Sequence, residues 1–228
     1  MADATPFSPV ILKHIHEPGS HTIEHYQARG GYETARNLVG TAEPASLVKI
    51  VEDSGLRGRG GAGFPTGKKW SFLAKGTGKP AYLAVNGDES EPGTFKDRYI
   101  LEKDPHQLLE GVILTCWAIQ SNHAFIYLRG EFILGYERLE AAVREAKAKG
   151  FIGKNIFGKN FDLKVALYDV ISLERTITPD MSGRRRRWAY MQNGNMLAKC
   201  IDRAWDLLGY DWRPTDPAHG GKIPLEAP

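Results

Sequence analysis

The chain has 228 residues, of which 42% are hydrophobic and 25% are charged, and its formal net charge at pH 7 is +3. A chain of this length and apolar content can bury a substantial core, whereas so small a positive charge does not indicate nucleic-acid binding. Its sequence contains no apolar run long enough for a transmembrane helix, so we expect membrane association only through partner proteins.

The N-terminal residues predict a polar arm over residues 1–24 and no targeting signal, because MADATPFSPV carries an early Asp, no Arg and no apolar run. Two cysteines in the whole chain are typical of a reducing compartment, so we expect a cytoplasmic protein. Four histidines in and beside the arm suggest either a metal cluster or a solvated segment, and the irregular spacing favours the solvated segment. They are His14, His16, His21 and His25.

The next element is a helix predicted for Pro44–Asp53, and a glycine-rich segment follows it. Residues 54–70 read SGLRGRGGAGFPTGKKW, with arginines inside the run and lysines near its end. Glycine allows positive φ and close approach of the backbone to a ligand, so glycines flanked by cations indicate an anion or phosphate cradle. A flexible surface loop is the alternative.

Two known phosphate-binding motifs do not fit this segment. Residues 58–63 match G-x-G-x-x-G, but the dinucleotide-binding fingerprint needs a preceding strand, and the residues here have helical spacing. A P-loop is excluded because Ala62 stands where its first glycine belongs and Lys68 is followed by Lys69 instead of Ser or Thr.

A second polar run follows a short apolar one. Tyr82–Val85 predicts a buried strand, and NGDESEPGTFKDR follows at residues 86–98. Polar loops at the carboxyl ends of strands hold the ligands of open α/β sheets. Three carboxylates without a neighbouring His or Cys are better suited to a hydroxyl-rich ligand, such as a ribityl chain or a ribose, than to a metal. A solvated acidic turn is the alternative.

The remaining periodicities predict an α/β fold with a mainly parallel sheet flanked by helices, and an irregular or helical C-terminal extension. We expect a domain over residues 25–168 and a divergent tail over residues 169–228. The further predicted elements are a helix starting over Lys69–Leu73, a helix beginning after Pro105, a strand over Ala124–Leu128, a helix from Leu134 to Gly150, a strand over Phe161–Leu167 and an amphipathic tail helix over Met196–Leu208.

Three runs together resemble a known family. GLRGRGGAGFPTGKKWSF, then YLAVNGDESEPGTFKDRYILEKDPHQLLEG, and then FIYLRGE occur in this order. They closely resemble the NADH- and FMN-binding flavoprotein subunit of respiratory complex I and its relatives in NAD-linked hydrogenases and formate dehydrogenases. The resemblance covers about His25 to Asp162, and it implies that FMN and NAD are the cofactors.

The resemblance implies roles for eleven residues. Asn86, Asp88 and Glu89 would contact the ribityl chain and the isoalloxazine edge. Phe64 and Phe72 would stack on the NADH adenine, and Glu91 would meet the nucleotide. The residues that would line the FMN phosphate and ring are Gly58, Arg59, Gly60, Gly61 and Lys69. The residue types agree, because cations bind phosphate, carboxylates bind hydroxyls and exposed aromatic rings stack on flat ligands. For Phe64, a role as a core anchor of the loop is the alternative.

The sequence departs from the family after Asp162. The family continues there into a glycine-rich turn with two adjacent glutamates that complete the site, whereas this segment offers only Glu174. The family also binds a four-iron cluster through four cysteines. This chain has Cys116 and Cys200 alone, so it lacks a complete ligand set. Natural divergence, fusion and truncation are all compatible with this segment.

The implied function is that of an FMN-dependent NADH dehydrogenase module that resembles the flavoprotein subunit of NADH:quinone oxidoreductase. Hydride would pass from NADH to FMN, and electrons would pass onward to iron–sulfur subunits of a multisubunit complex, at the inner face of the membrane. No side chain need act as an acid or base, since the flavin performs the chemistry. The alternative is a truncated or non-catalytic flavin- or nucleotide-binding protein, or an assembly protein.

Overall fold

The structure of the chain, a computed structural model, describes residues 9–74 and 76–169. One compact unit spans Met1–Leu167, and a second begins at Tyr168. The predicted limits at residues 24 and 168 stay predictions, and the amphipathic helix predicted for Met196–Leu208 lies outside the described residues.

Four helices precede the sheet: α1 (Ile23–Ala28), α2 (Glu33–Leu38), α3 (Pro44–Asp53) and α4 (Thr66–Ser71). The predicted limits of α3 are confirmed, because Pro44 occupies its first turn and Gly55, with φ of 69°, follows its end. The sequence predicted neither α1 nor α2, and α4 begins at Thr66 instead of near Lys69.

Three strands form one sheet in the order β1 (Leu83–Gly87), β2 (His123–Leu128), β3 (Lys164–Asp169). Strands β1 and β2 are parallel, with Leu83 opposite Ala124 and Gly87 opposite Leu128. Two helices connect them, α5 (Asp97–Lys103) and α6 (Pro105–Ile119), and α7 (Ile133–Ala148) leads from β2 towards β3. The α/β class with a parallel sheet is therefore confirmed, although α5 was not predicted.

Helix α6 packs against β1, β2, α3 and α7, which places it at the centre of the core. It begins at Pro105 and ends before Gln120, whose φ of 57° is left-handed. Its fully buried residues include Leu109, Ile113 and Cys116. Burial raises the pKa of the Cys116 thiol to about 12, so this cysteine behaves as a small apolar core residue.

A buried carboxylate on α6 ties the first two helices to the core. The Glu110 side chain accepts hydrogen bonds from the Tyr26 hydroxyl (2.5 Å) and from the backbone N–H groups of Tyr32 (2.8 Å) and Ala35 (3.0 Å). Tyr32 precedes α2 with a left-handed φ of 67° and makes no side-chain cap. Glu110 therefore supplies the N-terminal cap of α2 from a distant part of the sequence.

Two of the four histidines in and beside the N-terminal arm lie next to one carboxylate. His14 Nδ1 lies 2.6 Å and His25 Nε2 lies 3.1 Å from oxygens of Glu17. Within residues 9–74 and 76–169, no group of three or more His, Cys, Asp and Glu side chains is placed to bind a metal ion. Over the same residues, no helix is long and apolar enough to cross a membrane.

Candidate functional site

The glycine loop, residues 58–64, is a closed loop between α3 and α4. Its ends are joined by hydrogen bonds from Gly58 N to Phe64 O (2.9 Å) and from Thr66 N to Leu56 O (2.8 Å). Arg57 Nη1 also donates to Gly63 O (3.0 Å) from the stem. Gly61 adopts a φ of 100°, a conformation that favours glycine. The predicted residues Gly58, Arg59, Gly60 and Gly61 are all exposed, so a fixed backbone presents them to solvent.

Helix α4 presents two lysines beside this loop. Lys68 and Lys69 are both exposed. The helix lies very close to α3: a Cβ added at Gly67 would stand 2.4 Å from Glu52 N and 2.6 Å from Glu52 Cα. Only glycine fits at this contact, because atoms at such distances overlap. The contact between Gly67 and Glu52 therefore determines where α4 carries its two cations.

Phe64 and Phe72 form an exposed aromatic pair. Their ring centroids are 5.9 Å apart with an interplanar angle of 52°, and the residues are 45% and 64% exposed. The Lys68 ammonium lies 5.6 Å from the Phe72 centroid. The alternative of a core anchor for Phe64 does not match this exposure. Two accessible rings beside a cationic helix offer a stacking surface to a flat, anionic ligand.

The acidic loop, residues 88–96, leaves the carboxyl end of β1. Asn86 Oδ1 accepts a hydrogen bond from Asp88 N (2.9 Å), and the Ser90 hydroxyl donates to Asp88 Oδ1 (2.5 Å). A Cβ on Gly87 would lie 2.9 Å from Tyr127 O, so the chain at this point packs tightly against β2. Asn86 and Asp88 thus share one turn at the edge of the sheet, and Glu91 further along is exposed.

Glu89 differs from its neighbours because it is buried, with 5% exposure. Its carboxylate accepts backbone hydrogen bonds from Lys96 (2.8 Å), Asp97 (3.0 Å) and Arg98 (3.4 Å) at the start of α5. Burial alone would raise the pKa of Glu89, but these three donors together lower it below the usual range. The contact with the ribityl chain expected for Glu89 stays a prediction, and the contacts seen here are with the protein.

The eleven predicted residues therefore fall into two groups, one around the glycine loop and one around the acidic loop. Among the described residues, no hydrogen bond or ion pair connects the two loops. Sequence reasoning did not assign a role to Lys68, Arg57 or Arg129. The run FIYLRGE contained the signal for Arg129, and the Lys-Lys pair contained the signal for Lys68. Glu174 lies outside the described residues.

A separate cavity of about 290 Å³ lies between α3, α4 and the segment that leads into β1. Its lining includes Val48, Trp70, Lys79 and Ile119. None of the eleven predicted residues lines it. The exposed loops, and not this cavity, therefore carry the chemistry that the sequence indicates.

Comparison with known proteins identifies relatives of this chain. Residues 51–178 match a family model described as the Nuo51 FMN-binding domain. An NADH-quinone oxidoreductase subunit of Rhizobium meliloti is 48% identical over 162 residues, which are 71% of this chain and 38% of the relative. An NADH-quinone oxidoreductase subunit of Aquifex aeolicus is 51% identical over 68% of this chain and 36% of the relative. The chain thus spans less than half the length of these relatives.

Solved structures give a similar result. The H2-reduced NAD+-reducing [NiFe]-hydrogenase aligns with a TM-score of 0.51 and 34% identity, over 67% of this chain and 27% of that chain. The air-oxidised state of such a hydrogenase aligns with a TM-score of 0.50 and 36% identity, over 64% of this chain and 24% of that chain. The α/β arrangement is therefore shared with proteins of known structure, in agreement with the fold predicted from the sequence.

Proposed function

The chain belongs to the family of the Nuo51 FMN-binding domain, and we propose that it is the FMN-binding part of an NADH-oxidising flavoprotein. The observation that carries the proposal is the closed glycine loop with two lysines on the helix that follows it. Glycines at positive φ and exposed cations are the groups that bind a phosphate monoester such as that of FMN.

The phosphate end of the ligand is assigned to the glycine loop and α4. A Cβ at Gly60 or Gly61 would meet no atom within 4 Å, so open space for a ligand borders the backbone there. Arg59 and Lys69 are both exposed and supply positive charge before and after these glycines in the sequence. In this proposal Arg59 and Lys69 neutralise the phosphate, and Gly58, Gly60 and Gly61 admit it close to the backbone.

The acidic loop and the aromatic pair would bind the remaining parts of the two ligands. The Asn86 amide and the Asp88 carboxylate are suited to the hydroxyls of a ribityl chain, with Glu89 at the same turn. Phe64 and Phe72 would stack on the adenine of NADH, and the exposed Glu91 would contact the nucleotide. When bound, FMN supplies the hydride acceptor and can release electrons singly. The chain orients both ligands, and no side chain transfers a proton.

Further electron transfer would need partners. Cys116 is buried in the core, and Cys200 lies outside the described residues. We propose that electrons leave through iron–sulfur subunits of a complex in the cytoplasm that reaches the membrane through its partners. The similarity to proteins named as subunits of NADH-quinone oxidoreductase supports this assignment.

The test is a flavin fluorescence titration of the full chain, with Lys69→Ala as the variant and Lys149→Ala, exposed at the end of α7, as the control. A charge-assisted phosphate contact contributes about 1.5–3 kcal/mol, so Lys69→Ala should weaken FMN binding about ten- to a hundredfold. Equal FMN affinity in both variants would remove the phosphate assignment, and a wild-type chain that binds no FMN would refute the proposed function.

The sequence after Asp162 favours a second candidate, a non-catalytic flavin- or nucleotide-binding or assembly protein. The segment offers Glu174 where the family has two glutamates beside the reacting rings, and poor positioning can slow a reaction about a hundredfold while binding survives. Anaerobic addition of NADH to the FMN-loaded chain separates the candidates. Bleaching of the flavin absorption supports the oxidoreductase, and tight FMN binding without bleaching supports the second candidate.

A further inference from the structure

We propose that the turn after β2, residues 129–132, fixes the acidic loop, with Arg129 and Glu89 as positioning residues for Asn86 and Asp88. The inference rests on the proposed function, since FMN is the ligand that the positioned groups would bind. It assigns a role to the run FIYLRGE, which the proposed ligand contacts do not use.

The first contact of this turn is made by the Arg129 guanidinium. Its Nη1 donates to the backbone carbonyl oxygen of Glu89 (2.9 Å), and its Nε donates to Glu131 Oε2 (2.9 Å). The second hydrogen bond orients the planar group, so its donor is aimed at the loop before any ligand binds. Arg129 follows Leu128, the last residue of β2, and its backbone is therefore held by the sheet.

The second contact closes the acidic loop on itself. The Glu89 carboxylate binds the N–H groups at the start of α5, while the Glu89 carbonyl oxygen binds Arg129. One residue thus connects the beginning of the loop both to its end and to the turn after β2. The carboxylate is also well placed to interact with the positive end of the α5 dipole.

The third contact joins the far end of the loop to the same turn. The Arg98 guanidinium carbon lies 4.8 Å from the ring centroid of Phe132, which is 4% exposed, and 5.6 Å from that of Phe95. Arg129 and Phe132 are three residues apart, so a single turn holds both ends of the acidic loop. Cation–π contacts with a buried ring contribute more than those at exposed sites.

These contacts matter for ligand binding because Asp88 is covalently next to Glu89 and shares a turn with Asn86. A shift of the Glu89 backbone therefore moves the Asp88 carboxylate by a similar amount. Hydrogen bonds weaken outside donor–acceptor distances of about 2.7–3.2 Å, so a displacement of about 1 Å would cost Asp88 much of a bond to a ligand hydroxyl. Arg129 would thus influence flavin binding without touching the flavin, which makes it a cleaner probe than Glu89.

Hydrogen exchange tests the contacts independently of any ligand. In the full chain, Arg129→Met and Glu89→Gln should each speed exchange of the Lys96 and Asp97 amides, about tenfold for Glu89→Gln. Arg129→Lys retains one donor and should keep most of the protection. Arg144→Met, an exposed arginine of α7, is the matched control. Unchanged exchange in both Arg129→Met and Glu89→Gln would overturn the inference, whatever the chain binds.

Titration with FMN then tests positioning. Arg129→Met should raise the FMN Kd about three- to tenfold, Arg129→Lys should restore most of the affinity, and Arg144→Met should match the wild type. The urea midpoint of each variant separates loss of affinity from loss of folding. Faster exchange with unchanged FMN affinity would refute the positioning role. A wild-type chain that does not bind FMN would refute both the proposed function and the positioning role of Arg129. Hydrogen exchange would still show whether the turn after β2 holds the acidic loop.

Discussion

Two helical glycines should respond in opposite ways to substitution by alanine. Gly67 in α4 and Gly111 in α6 both have ordinary helical φ angles, so backbone strain does not distinguish them. Alanine is favoured over glycine in a helix interior by about 0.5–1 kcal/mol. A Cβ at Gly111 would meet no atom within 4 Å, whereas a Cβ at Gly67 would stand 2.4 Å from Glu52 N.

The size of the effect at Gly67 follows from that distance. Ordinary van der Waals contact begins near 3.4 Å, so α4 would have to move away from α3 by about 1 Å. The obstacle is backbone and cannot rotate aside, which places the cost near the upper part of the usual range of about 1–3 kcal/mol for overpacking. After the gain in helix propensity, Gly67→Ala should lower the free energy of unfolding by about 1–2 kcal/mol.

Urea unfolding of the two variants measures this difference. Gly111→Ala should raise the free energy of unfolding by about 0.5–1 kcal/mol, with the slope unchanged. Because α4 carries Lys69, Gly67→Ala should also weaken FMN binding, and Gly111→Ala should not. A Gly67→Ala chain as stable as Gly111→Ala would show that the α3–α4 contact is loose, and would refute a tight packing contact between Gly67 and Glu52.

Two further predictions concern the buried polar groups. Glu110→Gln keeps one acceptor oxygen, but in either orientation its NH2 group faces at least one of the donors that the carboxylate now accepts from, which are Tyr26, Tyr32 and Ala35. It should therefore lower the free energy of unfolding by about 1–3 kcal/mol in urea, whereas exposed Glu140→Gln should change little; equal midpoints would contradict the capping role. Burial lowers the pKa of His106 against the opposing effect of Glu145. As the pH decreases below about 6.5, the unfolded state therefore binds this proton before the folded state does, and the free energy of unfolding decreases by at most about 1.4 kcal/mol per pH unit. His106→Gln should make this decrease smaller, and an unchanged pH profile of stability would refute the prediction.

Much of the sheet and its long helices could be predicted from local sequence. The apolar run at Leu83–Val85 and the residues at Ala124–Leu128 became β1 and β2, and Pro105 marked the start of α6. Each of these signals lies within the element itself, as hydrophobic periodicity or as a residue with restricted φ. The glycine loop could also be predicted, because its glycines and the cations that flank them lie within one short segment.

Helices α2 and α5 could not be predicted, because their caps come from elsewhere. Helix α2 follows Tyr32 and helix α5 follows Lys96, and neither residue caps its helix with a side chain. Their first N–H groups bind Glu110 and Glu89 instead. A local search for Ser, Thr, Asp or Asn at the cap position therefore finds nothing.

The roles of the carboxylates separate what the sequence determined from what the tertiary structure decided. The sequence by itself determined that Asp88, Glu89 and Glu91 stand together after a strand. Folding then buried Glu89 among the N–H groups of α5 and left Glu91 exposed. The physical reason is that a helix N-terminus attracts the nearest carboxylate in space, and spatial proximity to a helix that forms only on packing is not encoded in local residue spacing.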